Sequence, residues 1–346
     1  MTITGNTCRS LPELGEFGLI GLISRKVPAA STVSVGIGDD AAAFQWHDGS
    51  IGLVTTDMLV EAVHFDLSFC DPVRLGRKTL AVNLSDIAAM GGKPSCFLLS
   101  LALPETISVN FIDEFTTGLL HLAAEFGVTL IGGDTCASRG GLVISVTLYG
   151  EQEPGKIVRR RGARPGDLIF VTGTLGDSAL GLELLRRGQR EGYCIDRHLD
   201  PSPRVREGRA LAEAGLPTAM IDVSDGLLSD LGHLVRSSGV GARLHLEKIP
   251  CSQEFASLLD STSNEGCALA LGGGEDYELL FTAPSRRRNE IITLLSNYGT
   301  PVTEIGEITA NHGIVVLSPQ GEAVSNVKPG YDHFRFDVPG KERQSA

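Results

Sequence analysis

The sequence has no Gly-x-x-x-x-Gly-Lys-Ser/Thr loop, no His-Arg-Asp or Asp-Phe-Gly segment and no Gly-x-Ser-x-Gly elbow. These absences exclude, in turn, a P-loop nucleotide site, a protein-kinase fold and an α/β-hydrolase nucleophile. Seven cysteines stand at 8, 70, 96, 136, 194, 251 and 267 without one Cys-x-x-Cys pair. An odd count at wide spacing fits reduced thiols better than a disulfide framework or a zinc cage. The eight histidines form no His-Glu-x-x-His pair. No run approaches the ~20 apolar residues of a membrane span. Met1 to Ser10 lacks the apolar core of a signal peptide. The expectation is a soluble cytoplasmic protein without a membrane partner. Basic residues are scarce: 30 Lys and Arg face 42 Asp and Glu, for a net charge of −12. That balance argues against nucleic acid as a partner. It still permits a polyphosphate ligand, provided metal ions separate the two sets of negative charge.

What the chain has in excess is glycine, 42 in 346 residues. This length predicts two domains. The Gly-, Pro- and Arg-rich segment from Glu151 to Gly166 marks the boundary, giving 1–152 and 153–346. Hydrophobic patterning predicts helices over 11–27, 71–90, 108–126, 177–188, 204–214, 227–237 and 286–297. It predicts strands over 33–38, 51–56, 95–103, 128–131, 142–149, 168–172, 218–222, 240–246, 277–282, 302–308 and 313–317. Asp71 and Pro72 begin the second helix with an N-cap acid and a first-turn proline.

Five apolar runs end in glycine or hydroxyl residues followed by acid. They are Gly36-Ile37-Gly38-Asp39-Asp40, Thr55-Thr56-Asp57, Ile131-Gly132-Gly133-Asp134, Ile221-Asp222-Val223-Ser224-Asp225 and Leu271-Gly272-Gly273-Gly274-Glu275-Asp276. Read as strand ends, these are places where mixed α/β proteins put ligands. If they converge, at least five carboxylates share one site. Two carboxylates ~4 Å apart repel by ~4 kcal/mol at an effective dielectric near 20. Divalent cations relieve that repulsion, and an all-oxygen donor set selects Mg²⁺, Mn²⁺ or Ca²⁺. Magnesium shares its shell with substrate phosphates, so a nucleoside triphosphate is the natural ligand. Within the second helix Thr79, Asn83, Asp86 and Met90 share one stripe. A carboxylate at Asp86 needs either a basic partner or a metal. Arg159-Arg160-Arg161 is a solvated triplet or supplies one phosphate contact. His64 by itself reads as a structural histidine as readily as a ligand. Asp39, Asp66, Asp276 and Glu278 read as supporting residues.

Several segments in order resemble the thiamine-monophosphate kinase family, within the superfamily of aminoimidazole ribonucleotide synthetase and selenophosphate synthetase. They are Gly36 to Ala42, Thr55 to Phe65, Leu80 to Gly91, Gly132 to Thr135, Asp222 to Leu227, Gly273 to Leu279, and the closing Gly330-Tyr331-Asp332-His333-Phe334. The resemblance implies an α+β fold of two mixed α/β domains of the aminoimidazole ribonucleotide synthetase type. The N-terminal domain would bind ATP and magnesium and dimerise, and the C-terminal domain would complete the cleft. It implies a homodimer that transfers the ATP γ-phosphate to thiamine monophosphate, giving thiamine diphosphate and ADP. Carried over by motif, Asp40, Thr55, Thr56, Asp57, Asp86, Asp134, Asp222 and Asp225 would hold several Mg²⁺ ions. Gly133, Asp134, Arg160 and Ser224 would border ATP, and His64, Glu275 and Tyr331 would contact the acceptor. One departure is Ala62, where the family commonly has glycine.

The acceptor is a phosphate monoester already ionised near neutral pH. Direct in-line transfer therefore needs no strong general base and no phosphorylated side chain. Two other readings compete. Another reaction of the superfamily is one, although Cys8 in Thr7-Cys8-Arg9 lacks the Gly-rich, Lys-bearing setting of selenophosphate synthesis. A non-catalytic metal-binding module is the other, although no EF-hand pattern occurs.

Overall fold

Two six-stranded sheets organise the computed structural model, which describes residues 14–28, 30–46, 49–260, 263–324 and 330. Tyr331, Cys8 and the tail after Gly340 lie outside the described residues. The first sheet has the order β1-β2-β3-β6-β4-β5. Its strands are β1 (Val33–Val35), β2 (Ala42–Gln45), β3 (Ile51–Val60), β4 (Lys93–Leu103), β5 (Thr129–Ala137) and β6 (Val143–Gln152). Only β4 and β5 pair in parallel. The second sheet, β12-β9-β11-β7-β10-β8, uses β7 (Asp167–Thr172), β8 (Ala219–Asp222), β9 (Gly241–His245), β10 (Leu279–Pro284), β11 (Val302–Thr309) and β12 (Gly313–Leu317). There only β9 and β12 are parallel.

Helix α1 (Glu16–Ser24) precedes the first sheet, and α2 (Pro72–Ala89) and α3 (Val109–Phe126) pack within it. The second half contributes α4 (Asp177–Arg186), α5 (Tyr193–Leu199), α6 (Val205–Glu213), α7 (Leu227–Ser238), α8 (Gln253–Leu258), α9 (Asn264–Gly272) and α10 (Arg288–Ser296). Among the described residues no helix is long and apolar enough to cross a membrane.

Helix α2 positions the site. Asp71 caps it by accepting from the Arg74 amide at 2.9 Å, with Pro72 in the first turn. Gly91, at φ +70°, ends it. Nearly all of its residues from Leu75 to Ala89 are buried, because it is covered by β3, β6 and α3 and also by α6 and β8 of the second half. Gly208 of α6 makes this approach possible: a Cβ there would stand 2.2 Å from the Ala88 carbonyl oxygen. The opposite face of the first sheet is open, with Met58 60% and Ile131 58% exposed.

Three features depart from the patterning. Strand β3 runs on through Thr55-Thr56-Asp57, and β5 runs on through Gly132-Gly133-Asp134, so these acids lie within strands. The apolar run before Gly272 is helix α9, where Ser263 caps by accepting from the Gly266 amide at 3.0 Å. Its Ala and Leu residues are strong helix formers, and the alternation is too short to outweigh them. Of the five runs, that of Asp222 closes β8 and that of Asp40 follows directly on β1. The patterning also misses β2 and the short helices α5 and α8, which span too few residues to give a clear period.

Candidate active site

Asp40, Asp86 and Asp222 each present a carboxylate oxygen, all within 4.8 Å of one another. They come from three distant parts of the chain: the turn between β1 and β2, helix α2, and the end of β8. Strand β3 adds Thr55 and Asp57 on the face it turns toward α2. Thr55 Oγ1 donates a short hydrogen bond to Asp86 Oδ2, and Asn83 Oδ1 accepts the Asp57 amide at 3.2 Å. Ser85 Oγ, on α2, donates to Asp222 Oδ2 at 2.6 Å, so the helix also orients the carboxylate of the second sheet.

The electrostatics are those of a site built for cations. Burial pushes the Asp57 carboxyl up to about 6. Burial, then the Asp40 charge, pushes Asp222 up to about 8. Asp86 lies well above the usual carboxylate range, through burial and then its neighbours Asp57, Asp222 and Asp40. Asp40 Oδ2 is buried without a hydrogen-bond partner. Its Oδ1 accepts from the Arg160 guanidinium at 2.7 Å. Burial disfavours the Arg160 charge, but Asp40, then Asp222 and Asp39, hold it protonated. One cation among four carboxylates leaves excess negative charge and an orphaned buried oxygen. An oxygen-coordinating divalent cation fits this donor set.

The other sequence-derived residues are distributed around this centre. Thr56 is exposed on the opposite face of β3, where its hydroxyl donates to the Val146 carbonyl at 3.0 Å. Asp134 is exposed on edge strand β5, and its carboxylate accepts the Thr135 amide at 2.9 Å. Neither side chain joins the Asp40–Asp86–Asp222 trio. Gly133 sits where a Cβ would come 1.7 Å from the Leu99 carbonyl oxygen, so β5 can lie against β4 only with glycine there. Ser224 and Asp225 follow Asp222 directly in the loop before α7. Arg160 points inward to Asp40, while Arg159 and Arg161 line a separate small surface pocket of about 260 Å³ with Lys156. His64 Nδ1 accepts the Val60 amide at 2.9 Å in the turn after β3. Glu275 pairs with Lys78 and His198; Lys78 first, then His198 and His64, hold its pKa down against burial.

Two contributors escaped the sequence reading. Asp230 in the first turn of α7 accepts the amides of Ser224, Asp225 and Gly226, each at 3.1 Å, and so shapes the loop. An Asp in a first turn is a helix-start signal that could have marked it. The second is Lys78, a buried lysine in the otherwise apolar or small stretch of α2. Asp39, by contrast, does what a supporting residue should, accepting the Arg160 amide at 3.0 Å. Ala62 adopts φ +64°, a left-handed conformation that glycine enters without strain.

The family description "AIR synthase related protein, N-terminal domain" matches residues 38–152, and its C-terminal counterpart matches 164–318. The chain is 41% identical over 327 residues to the thiamine-monophosphate kinase of Escherichia coli strain K12, covering 92% of this chain and 98% of that one. It is 37% identical over 330 residues to that of Bacillus subtilis strain 168, covering 93% and 100%. Among solved structures, AaThiL complexed with AMPPCP and TMP superposes with a TM-score of 0.82 at 37% identity, covering 95% of this chain and all of that one. The thiamine-monophosphate kinase of Stenotrophomonas maltophilia K279a gives 0.74 at 38% identity, covering 88% and 96%. With two α+β halves, a carboxylate cluster between them and this likeness along nearly its whole length, the chain belongs to the thiamine-monophosphate kinase family.

Proposed function

We propose that the protein is a thiamine-monophosphate kinase. It transfers the γ-phosphoryl group of ATP directly to the phosphate of thiamine monophosphate, giving thiamine diphosphate and ADP. The observation that carries this reading is the meeting of Asp40, Asp86 and Asp222 at one point, on a chain so similar to a kinase of that name. Asp40, Asp57, Asp86 and Asp222 are the central candidates to hold Mg²⁺, with Thr55, Thr56, Asp134 and Asp225 as further oxygen donors. Bound there, the ions would neutralise phosphate charge and align the donor.

The chain's own residues do the rest. Arg160 supplies a fixed positive charge at the edge of the cluster, and Gly133 and Ser224 offer backbone close to the nucleotide. His64 and Glu275 orient the acceptor, with Tyr331 as a third contact. No side chain serves as a nucleophile, because the acceptor oxygen is already anionic. Catalysis then rests on positioning and charge neutralisation.

The open face of the first sheet, with Met58 and Ile131 exposed, supports a homodimer joined through the N-terminal domain (1–152), with the C-terminal domain (153–346) completing the cleft. A cytoplasmic location accords with a nucleotide co-substrate and with the thiols of Cys70, Cys96, Cys136, Cys194 and Cys251, none of which forms a disulfide among the described residues. The test is an assay with ATP, Mg²⁺ and thiamine monophosphate that follows ADP and thiamine diphosphate. Formation of both in equal amounts is expected. ATP hydrolysis without thiamine diphosphate would refute the reading. Light scattering of the purified protein tests the dimer.

A further inference from the structure

Lys78 is a buried cation for which the phosphoryl-transfer scheme has no role. Only 1% of its side chain is exposed, and its ammonium lies 3.0 Å from Glu275 Oε1. The Lys78 ammonium is buried, and this contact with Glu275 is the one that balances its charge. Among the described residues Glu275 is its one ion-pair partner within 4.0 Å. The two groups belong to different halves of the molecule: Lys78 to α2, and Glu275 to the loop between α9 and β10. Glu275 is the outer member, with 27% of its side chain exposed.

The loop needs an external hold. Glu275 has φ +64° and Tyr277 has φ +51°, conformations that side-chain-bearing residues adopt only where their surroundings enforce them. Its backbone is tied to the loop after β8: the Glu275 amide donates to the Ser224 carbonyl at 2.7 Å, and the Tyr277 amide to that of Val223 at 2.9 Å. The second oxygen of Glu275 is 3.3 Å from His198 Nδ1, which also lies 3.0 Å from Ser178 Oγ. Burial, then Lys78, lowers the His198 imidazole to about 3, so His198 is neutral. Burial opposes the charge on Glu275, but Lys78 and then His198 hold its pKa below the usual carboxylate range. Among the described residues Lys78 is therefore the one full positive charge within 4.0 Å of this carboxylate.

We propose that Lys78 is a positioning residue of the acceptor site, reaching from the first half of the chain to hold the Glu275 carboxylate, and with it the strained loop, toward the cleft. Lys78 does not touch substrate, because its ammonium is sealed behind Glu275. The group presented is a carboxylate at the cleft surface, suited to a cationic heterocycle bearing an amino donor. Thiamine monophosphate has both features, a thiazolium ring and an aminopyrimidine. The inference rests on the activity proposed above and assigns the residue that sets affinity for the acceptor alone.

A double-mutant cycle tests it. Lys78→Met keeps the length of the side chain and removes the charge. Glu275→Gln keeps the shape of its partner. Each single variant is expected to raise the KM for thiamine monophosphate at least tenfold, with the KM for ATP within twofold of wild type. Because Lys78 acts through Glu275, the double variant should match Glu275→Gln and show no further rise. It also removes the unpaired buried charge, so it stays measurable if Lys78→Met fails to fold. Two results overturn the inference: an acceptor KM in the double variant within twofold of wild type, or one well above that of Glu275→Gln. A folded Lys78→Met variant with an unchanged acceptor KM overturns it as well. Absence of turnover in the wild-type protein refutes the activity itself, and the inference with it.

Discussion

Replacing Asp86 with asparagine should destroy activity and, without metal, make the protein more stable. Asp86 stands among Asp40, Asp57 and Asp222, and burial and then all three of these charges raise its pKa. At the 4.8 Å limit of the trio's spacing, a fully ionised pair repels by about 3 kcal/mol at an effective dielectric of 20. Partial protonation lowers the realised strain. The expected gain on removing the charge is about 1–3 kcal/mol, or roughly 2–10 °C in melting temperature. Asparagine keeps an oxygen that can accept from Thr55, so shape and hydrogen bonding persist. The assay is thermal unfolding at pH 7.5 in chelator and low salt, repeated with Mg²⁺, beside turnover at saturating substrates. Mg²⁺ should raise the melting temperature of the wild type more than that of the variant, because ligand binding to the folded state stabilises it. Turnover should fall about 100-fold or more, the scale of losing one group that stabilises transition-state charge. A variant that melts below wild type in chelator would refute the electrostatic reasoning. Turnover within threefold of wild type would refute the catalytic role.

The pH dependence has a definite sign. Asp222 is raised from 3.8 to about 8 in the folded protein, so its favourable contribution is complete below pH 4 and is lost as pH rises toward 8. Denaturant titrations of chelated protein should show this decline, and Mg²⁺ should flatten it; a metal-free stability that climbs from pH 5 to 8 would contradict it. Asp57→Ala should abolish turnover while circular dichroism stays native, and a near-normal rate would count against the scheme. Ala62→Gly should stabilise the protein by about 1 kcal/mol, by relieving the left-handed conformation, as read from its melting temperature. Asp230→Ala removes the acceptor of three amides and should destabilise by about 2 kcal/mol while raising the KM for ATP, through the freed Ser224 loop.

Much of this molecule is legible in one dimension. Most elements follow from hydrophobic period and turn residues: α2 begins at Pro72 and α3 ends before Gly127, as their caps dictate. Glycine-acid motifs pointed to a cluster of carboxylates, of which Asp40, Asp86 and Asp222 do converge. Ala62 and the run before Gly272 show the limit of that signal. A glycine-like conformation can be imposed on alanine by its turn, and an alternating Ala-Leu run can be helical.

Sequence alone therefore determined the class of chemistry, the two-part architecture and the candidate acids, since those depend on local composition and spacing. Only the tertiary structure decided which acids meet. Asp40, Asp86 and Asp222 converge because α2 is wedged between both halves, whereas Asp134 stays on an exposed edge and the Thr56 side chain turns to the far face of its strand. The same packing pairs Lys78 with Glu275 and Ser85 with Asp222. Contacts between residues far apart in the chain leave no periodic trace along it, because they arise from how its elements stack.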